Sequence, residues 1–124
     1  MSQSEHEIQN LILLSARELG YTLWRNNTGV GWQGNKTSRR QDGAMIVQNA
    51  RPLHAGLCKG SSDLIGLRSR VITPDDVGEC IAQFVALEVK AAGGRLSHEQ
   101  VMFLDFIKNA GGIARVVRSV EDAK

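Results

Sequence analysis

Glu88 and Lys90 stand two apart at the end of an apolar run, Gln83 to Lys90 (QFVALEVK). In an extended segment, residues two apart leave the same face. Two charges ending an apolar strand are costly if turned into a core, so they are expected where they meet something polar. Asp63 opens an earlier run, Asp63 to Arg68 (DLIGLR). If the two runs pair as an antiparallel hairpin, the start of one lies beside the end of the other, which sets Asp63 next to Glu88. Two carboxylates and one ammonium at a sheet edge suit a hard divalent cation with open positions for water and phosphate oxygens. The lysine can orient an attacking water or offset charge at the phosphate. Plainer readings stand beside this one. Glu88 and Lys90 also fit an exposed charged pair on a strand, and Asp63 also fits a cap to the turn after Gly60-Ser61-Ser62.

The elements that must carry these residues are legible from periodicity. Glu5 to Leu19 predicts a helix, with Ile8, Leu11, Ile12 and Leu19 on one stripe. Ser4 and Glu7 have capping-box spacing, and Gly20 can end the helix. Tyr21 to Asn26 reads as a strand. Asn27 to Ser62 is a long, polar, glycine-bearing stretch expected to be mostly loop, with short strands at Ala44 to Val47 and around Leu53. The runs at Asp63–Arg68 and Gln83–Lys90 read as strands, with a turn at Thr73-Pro74-Asp75-Asp76 between them. Ser97 to Ala110 predicts a second helix, capped by Ser97 and Gln100, with Val101, Leu104 and Ile107 on one face and Phe103 and Phe106 flanking. Gly111-Gly112 closes it, and Ile113 to Arg118 is a final strand. For Glu7 and Gln100, capping alone accounts for the spacing as well as any role in a site does.

The chain has 124 residues, 42% of them apolar and 23% charged, which suits one soluble domain spanning 1–124. No apolar run is long enough to span a bilayer, and the polar start is unlike a signal peptide, so a cytoplasmic setting is expected. Cys58 and Cys80 have no zinc spacing and read as buried or incidental thiols. The glycines do not form GxGxxG after a strand, so no nucleotide cofactor is expected. The net charge of +2 conceals a basic middle: residues 36–70 carry seven basic and two acidic side chains, whereas both flanks are net acidic. That distribution is expected of a face that meets a polyanion. Arg25, Lys36, Arg39, Arg40, Arg51 and Lys59 are the candidate phosphate contacts, with Gly29 and Gly31 letting the backbone approach. Trp24 is expected in the core, while Trp32 is balanced between packing and stacking on a base.

Taken together, GSSDLIG at 60–66, LEVK at 87–90, GRLSHEQ at 94–100 and the closing GGIARVVRSVED resemble the virus-type replication-repair nuclease (VRR-NUC) domain, a branch of the PD-(D/E)xK nuclease superfamily. Glu7 and Arg25-Asn26-x-x-Gly29 join the resemblance, which takes in nearly the whole chain except 33–57 and 69–82. ExK alone is common; the ordered set of Asp, ExK, then S-x-x-Q opening a helix is far more specific. Ser62 stands where the superfamily has proline. The resemblance implies an α/β fold with a restriction-endonuclease-like core, a central mixed sheet flanked by helices, and dependence on Mg²⁺ or Mn²⁺. Asp63, Glu88 and the Val89 carbonyl would be metal ligands, with Glu7 near the metal directly or through water. Lys90 would be the catalytic lysine, Gln100 would support the site, and Arg25 and Asn26 would lie toward DNA. It further implies a homodimeric bacterial or phage-encoded enzyme cutting branched DNA, including four-way (Holliday) junctions. A flap, nicking or exonucleolytic DNA nuclease, an inert DNA-binding module, and an RNA nuclease are the competing expectations.

Overall fold

Two helices and eight strands are built along the described residues of the chain, and the fold class is α/β. The computed structural model describes residues 2–124. Its elements are α1 (Glu5–Ser15), β1 (Thr22–Arg25), β2 (Gly29–Gln33), β3 (Lys36–Arg39), β4 (Met45–Gln48), β5 (Arg51–Ala55), β6 (Leu64–Leu67), β7 (Val85–Val89), α2 (His98–Asn109) and β8 (Ile113–Val117). Short 3-10 turns lie at Pro74–Asp76 and Glu121–Ala123. By internal contacts the chain divides into two compact units, Met1–Gly66 and Leu67–Lys124.

In the first unit, α1 begins at a complete capping box. Glu7 N–H donates to Ser4 Oγ at 3.3 Å, and the Glu7 carboxylate accepts from Ser4 N–H at 2.7 Å and from its hydroxyl at 2.9 Å. These bonds hold the Glu7 pKa below the ordinary glutamate value. The helix ends at Ser15, earlier than expected, and a turn carries the chain to Gly20, whose φ of 80° is the left-handed ending anticipated. There Tyr21 N–H donates to Ala16 C=O and Gly20 N–H to Arg17 C=O, so the last carbonyls are satisfied. The expected stripe of Ile8, Leu11 and Ile12 stays partly exposed. The more protected line is Gln9, Leu13 and Ala16, drawn inward where Arg25 bonds Gln9 and Asn10.

β1 pairs with β6. Asn26 bonds the Asp63 carbonyl at one end, and Gly66 abuts Thr22 and Leu23 at the other, so the two strands run antiparallel. A Cβ on Gly66 would overlap the Thr22 carbonyl oxygen, which is why this strand tolerates a residue with no side chain to pack.

Residues 29–55, expected to be mostly loop, form an antiparallel ribbon instead. β2 pairs with β5 from Gly29–Ala55 to Gln33–Arg51, and β3 pairs with β4 from Lys36–Gln48 to Arg39–Met45. Paired residue numbers keep one constant sum in both ladders, which are separated by a bend at Asn35 opposite Asn49, whose φ is 53°. Arg40 N–H donates to Ala44 C=O at 2.8 Å across the tip, where Gly43 takes φ 88° in a three-residue hairpin loop. Polar and glycine residues masked the alternation that a half-buried strand would show, because almost every arm residue is exposed.

In the second unit, β7 pairs with β8 in parallel, Val85 opposite Ile113 through Val89 opposite Val117, and α2 makes the crossover. Of the two runs at 63–68 and 83–90, the first pairs as β6 with β1 and the second as β7 with β8. The connection between β6 and β7 is no tight turn but an extended stretch with a 3-10 turn capped by Thr73 and Asp76. α2 faces the strands with Gln100, Leu104 and Ile107, and Ile107 is fully buried. Ala110, Gly111 and Gly112 end α2 with bonds from Gly112 N–H to Ile107 C=O and from Gly111 N–H to Lys108 C=O, a Schellman closure.

Two outcomes follow. Gly66→Ala should lower stability by about 1–3 kcal/mol through overpacking against β1, read as a reduced denaturant midpoint; an unchanged midpoint would contradict the close approach. Because the folded-state pKa of Glu7 is depressed, its ionised form stabilises α1 above pH 4.5, the ordinary value, and that contribution disappears as pH falls through the lower folded value. Amide exchange at the start of α1 should accelerate on acidification through that range, and Glu7→Gln should flatten the dependence.

Candidate active site

The second unit assembles its chemistry around one carboxylate. Ala86, Glu88 and Lys90 share the less exposed face of β7, while Val85, Leu87 and Val89 take the other. Gln100, in the first turn of α2, lies on the helix line that faces the strands. Its Nε2 donates to Glu88 Oε1 at 2.8 Å. Lys90 Nζ stands 3.6 Å from the same oxygen, and the two side chains are 22% and 29% exposed. Gln100 simultaneously caps α2: its N–H donates to Ser97 Oγ and its Oε1 accepts from Ser97 N–H at 2.8 Å. One residue thus caps the helix start and bonds the Glu88 carboxylate.

The chain beyond Lys90 is held by a residue that pattern reading did not single out. Arg118, just past β8, donates from its guanidinium to the carbonyls of Ala91 and Gly94, the latter at 2.7 Å. Lys90 N–H donates to Val117 C=O at 3.1 Å. The Gly93-Gly94 turn after the ExK strand is therefore tied to the end of β8. An arginine ending an apolar strand was the available signal, but it fits a solvated strand end equally well.

The first unit carries Asp63, immediately before β6. Its carbonyl accepts from Asn26 N–H at 2.8 Å. The Asn26 amide completes a clasp on the preceding turn: Nδ2 donates to Ser61 Oγ at 2.7 Å and to Ser62 C=O at 2.9 Å, and Oδ1 accepts from Leu57 N–H at 3.0 Å. Ser61 Oγ in turn donates to Cys58 C=O at 2.6 Å. Asn26, expected toward DNA, has its side chain engaged in fixing the segment that presents Asp63. Arg25 bonds Gln9 and Asn10 of α1 and so braces β1 against the helix. Glu7 caps α1, and its bonds are to Ser4.

Of the other basic candidates, Lys36, Arg39, Arg40 and Arg51 stand on the ribbon arm and Lys59 on the loop after it, all exposed. Arg40 pairs with Asp42 at 3.3 Å at the solvent-open tip. Trp24 is half-buried in β1, whereas Trp32 is 64% exposed on β2. Cys58 and Cys80 are free thiols and exposed, which leaves the incidental one of the two expected readings, because both fall outside the helices and strands.

The donor set around Glu88 fits a hard divalent cation. Gln100 and Lys90 converge on Oε1, and among the described residues no hydrogen bond or ion pair to Oε2 is seen. The Phe84 carbonyl and the Lys90 N–H both bond β8, so even-numbered residues of β7 address that strand. By the alternation of a strand, the Val89 carbonyl points along the opposite edge, outside the ladder. Carboxylate and carbonyl oxygens are the ligands that Mg²⁺ and related ions take. Among the described residues, no three His, Cys, Asp or Glu side chains gather into a cluster able to hold a metal.

No curated protein and no solved structure matches the chain. A family model does: that of the VRR-NUC domain, over residues 4–121, which takes in both units. The chain belongs to the VRR-NUC family, nucleases of the PD-(D/E)xK type with a restriction-endonuclease-like fold.

Proposed function

We propose that the chain is a metal-dependent DNA endonuclease that hydrolyses phosphodiester bonds in branched DNA, four-way junctions among them. The observation that carries this reading is the Glu88 carboxylate, oriented through Oε1 by Gln100 and Lys90. The two units act as halves of one nuclease domain, a reading supported by a family match that runs across both.

Asp63, Glu88 and the Val89 carbonyl are the proposed ligands of one Mg²⁺ or Mn²⁺, with Glu7 joining directly or through water. When bound, such an ion polarises a phosphoryl oxygen and acidifies water. The chain's own residues do the rest. Gln100 holds the Glu88 carboxylate in orientation. Lys90 offers its ammonium to the attacking water or to the charge developing on the phosphate. Arg118 and Asn26 keep the two ligand-bearing segments in place. Lys36, Arg39, Arg40, Arg51 and Lys59 supply phosphate contacts that position DNA without reading its sequence. Arg25 and Asn26 serve the same interface from beneath, by bracing β1 and the turn before Asp63.

Two copies would set two sites against a symmetric junction. The segment between β6 and β7 favours self-association: it exposes Val71 at 85% and Val77 at 86%, with Ile72 and Ile81 also open to solvent. No helix among the described residues is long and apolar enough to cross a membrane.

Labelled four-way junctions incubated with Mg²⁺ or Mn²⁺ should be cut by the wild type. Asp63→Ala and Lys90→Ala should abolish cutting with an unchanged circular dichroism spectrum; wild-type cleavage by either variant would refute the assigned site. Gln100→Ala should reduce metal affinity or rate about 10- to 100-fold. Sedimentation should find a dimer, and a monomer both alone and with junction DNA would count against paired cutting.

A further inference from the structure

The ribbon arm, residues 29–55, is a single layer with both faces exposed. Cross-strand partners share a face, so the register sorts its side chains. In the ladder at the base, one face carries Val30 with His54 and Trp32 with Pro52, and the other Gly29 with Ala55, Gly31 with Leu53 and Gln33 with Arg51. In the outer ladder, one face carries Lys36 with Gln48 and Ser38 with Ile46, and the other Thr37 with Val47 and Arg39 with Met45. Basic residues therefore stand on both faces. Across the arm, Lys36, Arg39, Arg40 and Arg51 oppose only Asp42.

Two features of the base of the arm have no explanation within the fold. Trp32 stands opposite Pro52 in its ladder and remains 64% exposed. Gly29 and Gly31 lie in a strand without positive φ, and a Cβ on either would meet nothing within 4 Å. Glycine weakens a strand, and its use inside one marks a close approach by a ligand or another backbone. Nothing in the described residues makes that approach, so the bare surface is available to something outside the chain.

We propose that the arm enters a DNA branch point, with Trp32, backed by Pro52, stacking on a base uncovered there and the glycine face lying against the sugar-phosphate backbone of the adjoining strand. This rests on reading the chain as a DNA nuclease and names what selects branched DNA. A two-stranded ribbon is thin enough to enter a groove. An aromatic face accepts any base, which suits recognition of a branch rather than a sequence. Lys36, in the outer ladder beyond Trp32, meets phosphates further from the branch. Arg51 continues the glycine face, and with Arg39 of the outer ladder it holds the second strand.

The test measures binding in chelator, so that cleavage does not enter. Anisotropy titrations compare a labelled four-way junction with a linear duplex of equal strand length. Trp32→Ala should lower junction affinity about five- to a hundredfold while leaving duplex affinity unchanged, and Trp32→Phe should restore most of it. Gly31→Val should fold with an equal or higher thermal midpoint yet lose roughly tenfold in affinity for both substrates. Arg39→Ala with Arg51→Ala should reduce the salt slope by roughly one unit for each phosphate that is no longer neutralised. Unchanged junction preference in Trp32→Ala, or wild-type binding by a folded Gly31→Val, overturns the proposal. So does conversion of a dimer to a monomer by Trp32→Ala, which would make this face an interface between copies. If the nuclease reading alone fails, junctions stay uncut with Mg²⁺ or Mn²⁺ while these binding effects persist; if the arm reading alone fails, cutting persists without them.

Discussion

A single carboxylate oxygen, Glu88 Oε1, receives both the Gln100 amide and the Lys90 ammonium. Much of the second unit follows from that convergence. Gln100 reaches Glu88 because Ser97 fixes the first turn of α2, and α2 stays on the strands because Ile107 is buried beneath it. The parallel pairing of β7 and β8 sends the even-numbered residues of β7 toward α2 on one side and their amides toward β8 on the other. A polar residue in the apolar line of a helix ordinarily weakens packing. Here it meets the one charged side chain that needs a neutral donor, so the helix face and the strand face complement each other chemically as well as sterically.

The two carboxylate-bearing segments are secured in the same manner by different residues. Asn26 bonds three backbone or hydroxyl groups in the turn before Asp63, and Arg118 bonds two carbonyls in the turn after Lys90. Both turns contain glycine or serine and would otherwise have many accessible conformations. Each clasp comes from a residue at the end of a neighbouring strand, so strand pairing and turn geometry form together. The VRR-NUC family match embraces the clasps as well as the charged residues.

Elements with hydrophobic periodicity were legible in the sequence: both helices, their capping boxes, and β1, β6, β7 and β8 all fall where the pattern set them. The capping role of Gln100 was legible too, because S-x-x-Q is a local signal. Pairing was not. Strand partners are chosen by long-range contacts that a local pattern does not encode: β6 pairs with β1, and β7 with β8 through the α2 crossover. In the ribbon arm, β4 and β5 fall where short strands were expected, but β2 and β3 were not legible, for a different reason. Alternation reveals a strand only when one face is buried, and residues such as Lys36, Thr37, Ser38 and Arg39 bury neither. Arg118 and Asn26 were visible as polar residues, yet their targets are backbone atoms, which leave no mark in side-chain spacing.

The register of the arm carries an evolutionary consequence. The ladders on either side of the gap at Gly34-Asn35 and Asn49-Ala50 obey the same pairing. Matched additions or deletions of two residues on each strand would lengthen or shorten the projection while leaving every remaining partner in place and on its own surface. An unmatched single-residue change would transpose the side chains of one strand to the opposite surface. Reach is thus free to drift in paired steps, whereas the assignment of residues to surfaces is protected against odd-length insertions.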